Sequence, residues 1–284
     1  MKSLRAEILK NVDSLPTLPV VTVRLCRLLN DPEVTLDKLG ETIKYDPGLT
    51  AKLLRMANSA YFGSARNVAT LKEALVRLGI SRVYRLVIGS SVQPLLSKAL
   101  EGYDLEVGAL WRHSVGVGVA AEEIELLLKN KGNDLAFTAG LLHDIGKLVL
   151  GSFVKHYFES IEEKVERTGL SFEAAEKEVL GIDHTEAGSA VLKHWGFPEE
   201  LVTVIKWHHE PSRAVDNQYL VDLVHIADMI AMMMGIGLGS DGLQYRPSAD
   251  SMSRLGLDTT GVDLVAYRTI KNVEKILQMF ENNS

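Results

Sequence analysis

An adjacent histidine and aspartate, His143-Asp144, lie inside an apolar stretch, Leu141-Leu142-His143-Asp144-Ile145-Gly146-Lys147. Packing does not explain the pair, because burying a carboxylate beside an imidazole without a partner costs several kcal/mol. A bound cation removes that cost. Neutral imidazole donates a ring nitrogen to one ion and the carboxylate can bridge to a second. On a continuous helix Lys147, at i+3 from Asp144, faces the same side.

Further donors follow the same logic. In chain order the second half offers His113, His143, Asp144, His184, His208, His209 and Asp228. Seven nitrogen and oxygen donors fit two metal ions, and imidazole with carboxylate suits iron, manganese or zinc. Successive helical positions point about 100° apart, so two ions are needed to use both His208 and His209. A lone helical histidine is more often a packed or surface residue than a ligand, which is the reading given to His156 and His194. His225, one turn before Asp228, stands between that reading and a hydrogen-bonded supporter of a ligand. Cys26 is the only cysteine, which excludes thiolate-bound structural zinc and an intrachain disulfide. Its neighbours Val23, Leu25 and Leu28 make it a buried free thiol.

Helices must position these donors, since apolar residues recur at three and four positions from end to end. After Leu15-Pro16-Thr17-Leu18-Pro19, a helix carrying Val20, Val23, Leu28 and Leu29 stops at Asn30-Asp31-Pro32. Thr35 caps the next, and Asp46 caps a third with Pro47 at its first position. Thr70-Leu71-Lys72-Glu73 is a capping box for a short helix that ends at Gly79, with Ser81 capping its successor. From Leu105 the helices lengthen. One runs through Trp111 and His113, one from an Asp134 cap through Asp144, and one from Ser152 to Arg167. Ser171 precedes a shorter helix, Asp183 with Glu186 opens the one bearing His184, and Pro198 starts the one ending in Trp207-His208-His209. Another carries His225 and Asp228 and frays into Gly235-Ile236-Gly237-Leu238-Gly239; residues 240–258 read as a loop and 262–280 as a last amphipathic helix. The fold class is all-α. Residues 1–102 form an N-terminal helical bundle, 103–235 a metal-binding helical core, and 236–284 a C-terminal loop and helix, with the first boundary near Gly102.

The chain has 284 residues, 46% of them hydrophobic, enough for one large core or two smaller ones that share an interface. Its 31 basic and 37 acidic residues give a net charge of -6, which argues against broad capture of nucleic acid or anionic membrane. Met1-Lys2-Ser3-Leu4-Arg5 has no apolar run after it, so no signal peptide is read there, and no window approaches the roughly 18 apolar residues of a membrane span. A cytoplasmic protein is the expectation.

The His-Asp pair in LLHDIGK, with His113 before it and Asp228 after, resembles the HD superfamily of metal-dependent phosphohydrolases. The added His184 and His208-His209 look like the two-metal pattern of the HD-GYP cyclic dinucleotide phosphodiesterases. The resemblance implies that His143, His184, His208 and His209 are terminal ligands and Asp144 a bridge. It further implies that His113 and Asp228 complete the two spheres and that Lys147 faces the phosphate. The stretches LPTLPVVTVRLCRLLNDP, IKYDPGLTAKLLRMANSAYFG and LKEALVRLGI are similar to the HDOD domain, a bacterial signalling output module, and that likeness runs from about Leu15 into the 220s. Two departures matter. HDOD domains often lack the metal-binding residues, whereas this chain has the full set. The segment after His209 reads Glu210-Pro211-Ser212-Arg213-Ala214 without a Gly-Tyr-Pro motif, which weakens the case for cyclic di-GMP and leaves the ligands untouched.

Three functions follow. The first is hydrolysis of a nucleotide or cyclic dinucleotide phosphoester by two divalent ions, iron foremost, with Asp144 and Lys147 as catalytic residues. The second is a signalling output module that keeps a metal site without turnover, its protein partner docking near Arg77, Arg82 and Arg85; the plainer reading of those arginines is a solvated helix face. Di-iron oxygen chemistry ranks last, because nothing in the sequence points to an oxidisable substrate.

Overall fold

Local punctuation sets the N-terminal helices of the computed structural model, which describes residues 2–28, 31, 33–59, 67–128, 135–240 and 248–281. After α1 (Lys2–Lys10), α2 spans Val20–Leu28 and α3 spans Leu36–Ile43, where the Thr35 hydroxyl accepts the Lys38 N–H at 3.2 Å. Asp46 accepts the Leu49 N–H at 2.9 Å to start α4 (Pro47–Ala57), and Thr70 with Glu73 forms a reciprocal capping box on α5 (Leu71–Leu78). Gly79, at φ +75°, turns the chain so sharply that α6 (Ile80–Leu96) begins at once; Ser81 lies inside that helix and is not its cap. Leu25, Leu39, Ile43, Leu53, Leu75 and Leu78 fill the space between these helices. Cys26 is fully buried, and burial pushes its thiol up to about 12. The quoted motif residues 60–63 and the Asp134 cap lie outside the described residues.

The second half is organised on α7 (Ala109–Leu127), which packs on α8 (Ala136–Leu142), α13 (Gln218–Met233) and α15 (Thr259–Glu281). Between α8 and α9 (Lys147–Thr168) the sequence pattern predicts an unbroken helix through Asp144. The structure instead puts His143–Gly146 in a turn. His143 and Gly146 keep helical dihedrals, but the bonds tighten to i→i+3, Ile145 N–H to Leu142 O at 3.0 Å and Lys147 N–H to Asp144 O at 3.0 Å. Gly146 explains the interruption. A Cβ there would lie 1.9 Å from the carbonyl oxygen of His184, so only glycine lets α11 (His184–Trp195) close on the turn. Lys147–Thr168 also starts earlier than the expected Ser152, and bends at Tyr157, whose φ and ψ are −107° and 17°.

α10 (Phe172–Leu180) and α12 (Glu199–Trp207) flank α11, and Arg5 of α1 reaches across to the Gly181 carbonyl (3.1 Å) and to Glu186 (2.6 Å). The expected loop at 240–258 contains a further helix, α14 (Ala249–Leu255), held on α13 by Arg254, which donates to both oxygens of Asp222 at 2.7 and 2.6 Å. Of the three arginines, Arg82 is exposed and Arg77 half-buried, and Arg85 departs from expectation. Arg85 is buried, paired with Glu122 and stacked 4.3 Å from the Phe137 ring, so it is neither a docking patch nor a solvated face. Among the described residues every named element is helical, and the one extended pairing is an isolated bridge between Leu100 and Leu105. The helical run Ala136–Thr168 has the length and composition of a membrane span, but 83% of its apolar window is buried in the molecule.

Candidate metal centre

The helices bring every predicted donor to one place. His113 comes from the start of α7, His143 and Asp144 from the α8–α9 turn, His184 from the first position of α11, His208 and His209 from the end of α12, and Asp228 from α13. Most of the rings are aimed by one device. The Nδ1–H of His143 donates to Gly140 O (2.7 Å), that of His208 to Ile205 O (2.8 Å) and that of His113 to Ile236 O (2.9 Å). A carbonyl only accepts, so Nδ1 carries a proton, and Nε2 is the nitrogen that points inward and is left for a metal.

Asp144 stands between two groups of donors. Its Oδ2 is 3.2 Å from His143 Nε2 and 3.7 Å from His113 Nε2. Its Oδ1 is 3.5 Å from His184 Nε2 and 4.0 Å from His208 Nε2. Asp228 Oδ1 completes the first group, 3.1 Å from His113 and 3.6 Å from His143, and His209 Nε2 joins the second, 2.9 Å from His184 Nε2. Within each group the donor atoms lie within 4.8 Å of one another. His156 and His194 stay apart, the first against Tyr157 and the second 3.4 Å from Asp13.

A metal fits this donor set. Nε2 of His143 and of His208, and Oδ1 of Asp144 and of Asp228, are buried and make no hydrogen bond. Each such orphan costs about 1–3 kcal/mol unless its lone pair is used. A cation in contact with them would use all four, and the cluster can hold metal ions.

The charges agree. Burial disfavours a proton on His143, yet the Asp144 and Asp228 carboxylates outweigh it and push the group up to about 10. Burial is likewise overcome at His184, where Glu176 and Asp144 push it up to about 9. At His208 burial and the nearby His143 outweigh the Asp144 and Asp228 carboxylates and push it down to about 3; His209 is lowered by burial and His208. Asp144 and Asp228 stay well below the usual carboxylate range despite burial, through His143 and Lys147 for the first and through His113 and His143 for the second. Lys147 spends its ammonium on Asp144 Oδ2 at 2.5 Å and lies 5.5 Å from the centre of the Tyr103 ring.

Three supporting residues were not singled out by the sequence, or were left open. Glu176, fully buried on α10, accepts both the backbone N–H (2.9 Å) and the Nδ1–H (2.8 Å) of His184 on Oε2, and its Oε1 accepts the Tyr103 hydroxyl at 2.6 Å. An acidic residue on the buried stripe Phe172, Ala175, Leu180 is the signal that could have found it. His225 supports a ligand through the backbone, donating Nδ1–H to His208 O (2.7 Å) and accepting the Ser248 N–H on Nε2 (2.9 Å). Glu173 lines the small cavity above the cluster, of about 20 Å³, with Leu105, Phe172, Met232 and Leu238; burial pushes its carboxyl above the ordinary range.

An all-helical fold whose buried centre is built on an adjacent His-Asp pair defines a protein of the HD superfamily. Within it, the chain belongs to the HDOD domain family, whose pattern matches residues 15–211. Two solved structures share the fold over nearly their whole length. An HDOD domain protein of unknown function from Geobacter sulfurreducens superposes with a TM-score of 0.73 at 24% identity, covering 99% of this chain and 97% of that one. A protein of Shewanella amazonensis described as a candidate phosphohydrolase superposes with a TM-score of 0.69 at 29% identity, covering 98% of each chain. An uncharacterized protein of Treponema pallidum (strain Nichols) is 26% identical over 232 residues, 80% of this chain. The chain spans only 44% of the length of that relative.

Proposed function

We propose that this chain is a signal-transduction protein with a dinuclear metal centre that hydrolyses a nucleotide or cyclic dinucleotide phosphoester. The observation that carries the reading is the division of Asp144, with Oδ2 beside His113 and His143, which group with Asp228, and Oδ1 beside His184 and His208, which group with His209. A carboxylate with donors on both sides could be shared by two ions, and the oxygen and nitrogen donors suit iron, with manganese or zinc as alternatives. When bound, such ions supply Lewis acidity toward a phosphate oxygen and an attacking water.

The protein's own residues do the rest. Lys147 fixes the orientation of Asp144 and keeps a positive charge at the cavity wall, where it complements a non-bridging phosphate oxygen. The carbonyls of Gly140, Ile205 and Ile236 hold three imidazoles in the tautomer that leaves Nε2 free. The likeness to the Shewanella protein supports a phosphohydrolase, and the HDOD family supports the signalling role. The test is to assay anaerobically purified protein over cyclic and linear nucleotides. Metal-dependent turnover that disappears in His143→Ala/Asp144→Ala is expected; turnover unchanged in that variant ends the hydrolytic reading.

One observation favours a non-catalytic output module that keeps its metals. The cavity of about 20 Å³ is large enough for a water but not for a nucleotide. Under this reading, removing the metal changes binding of a signalling protein and no nucleotide is consumed. Metal-free protein that binds such a partner unchanged rules it out.

A further inference from the structure

His184 is oriented differently from the histidines around it. His113, His143 and His208 each donate Nδ1–H to a neutral backbone carbonyl. His184 donates its Nδ1–H to a carboxylate, Glu176 Oε2, at 2.8 Å, inside a site where Glu176 is 0% exposed. The Tyr103 hydroxyl holds the other oxygen at 2.6 Å, so the carboxylate is fixed at both ends. A charged acceptor draws the ring proton more strongly than a carbonyl does, and the opposite nitrogen becomes the better donor to a metal.

We infer that Glu176 is a positioning residue that makes the two metal positions unequal, so that the ion sharing Asp144 with His184, His208 and His209 is bound more tightly than the ion sharing it with His113, His143 and Asp228. The inference rests on the two-metal reading above.

Glu176 also satisfies the backbone N–H of His184, which is the first residue of α11 and would otherwise be an unpaired helix-terminal donor. That role alone predicts a loss of helix stability that does not single out one metal position. The bond to Nδ1 is what a cap does not need. It makes the effect of Glu176 specific to one ion.

The test is calorimetric titration of the metal-free full chain with Zn2+ alone. Wild-type protein is expected to take two ions with separate dissociation constants. Glu176→Gln keeps an acceptor oxygen for His184 but removes the charge, and is expected to weaken the tighter position about 10–100-fold while leaving the weaker one in place. In an Asp228→Ala background, which impairs only the weaker position, the same loss is expected. In a His184→Ala background Glu176→Gln is expected to change nothing further. Equal weakening of both positions, or no change at either, overturns the inference and leaves the two-metal reading standing. Fewer than two ions in the wild type overturns both. A measurement on wild-type protein covers failure of the variant to fold. In the Zn2+-loaded form one histidine ring N–H proton resonance, that of His184, is expected downfield of those of His113, His143 and His208; equivalent resonances contradict the inference.

Discussion

The helices α2 to α6 and the helices α7 to α13 contain similar apolar residues but differ in what else they bury. Among the described residues, the first group buries Thr22, Arg85 and the hydroxyls of Tyr84 and Ser90, and no carboxylate or imidazole. The second buries His113, His143, Asp144, Lys147, Glu176, His184, His208, Asp222, His225 and Asp228, with others besides. Part of that burden is balanced inside the chain, as where Arg254 and Ser251 complete Asp222. The histidine–aspartate cluster is not, because four of its donor atoms are left without a hydrogen bond. The contrast separates a region stabilised by packing and caps from one whose buried donor atoms could hold a metal ion.

Substitutions in the two regions should differ in whether they cost metal or only stability. Gly146→Ala is expected to have the largest effect, because a Cβ placed 1.9 Å from the His184 carbonyl forces α11 off the turn. Complete loss of bound metal is expected, with a destabilisation of about 3 kcal/mol or more, read by elemental analysis and chemical unfolding. Full metal content in that variant would show that the two elements need not touch. Leu53→Ala, a fully buried residue of α4, should cost about 2–5 kcal/mol and leave the metal count of the folded protein unchanged. Metal loss there would erase the difference between the regions.

The pH dependence is the graded version. Without metal, His143 and His184 are pushed up to about 10 and about 9, so both carry protons at neutral pH that an ion must displace. Metal affinity should rise with pH, by up to about tenfold per pH unit for each proton displaced, and level off above about 10. Metal-free stability has the opposite sign. A raised folded pKa stabilises below the unfolded value of 6.5, and that contribution is lost as pH rises through about 9 to 10. Titration and thermal melting at several pH values check both, and a flat affinity profile would contradict the buried charge balance.

What the sequence made legible was local. Thr35, Asp46, Thr70 and Asp183 cap the helices they precede, because a cap bond spans three residues and both partners are in view. The seven histidines and aspartates that gather in the cluster were legible for a different reason, since a polar residue type is conspicuous in an apolar run. The rest depended on contacts between distant residues. α14 was missed because Arg254 finds Asp222 across 32 positions, and Glu176 because its partner Tyr103 lies 73 positions away. Arg85 was assigned to the surface since Glu122 and Phe137 could not be seen beside it. The break after Leu142 required Gly146 and His184 to be known as neighbours.

Whether Asp144 is shared by two ions is read by counting metals in anaerobically purified protein. Two ions per wild-type chain, with both lost or strongly weakened in Asp144→Ala, is the expected result. A wild-type chain that holds only one ion, or an Asp144→Ala variant that keeps both at unchanged affinity, would contradict it.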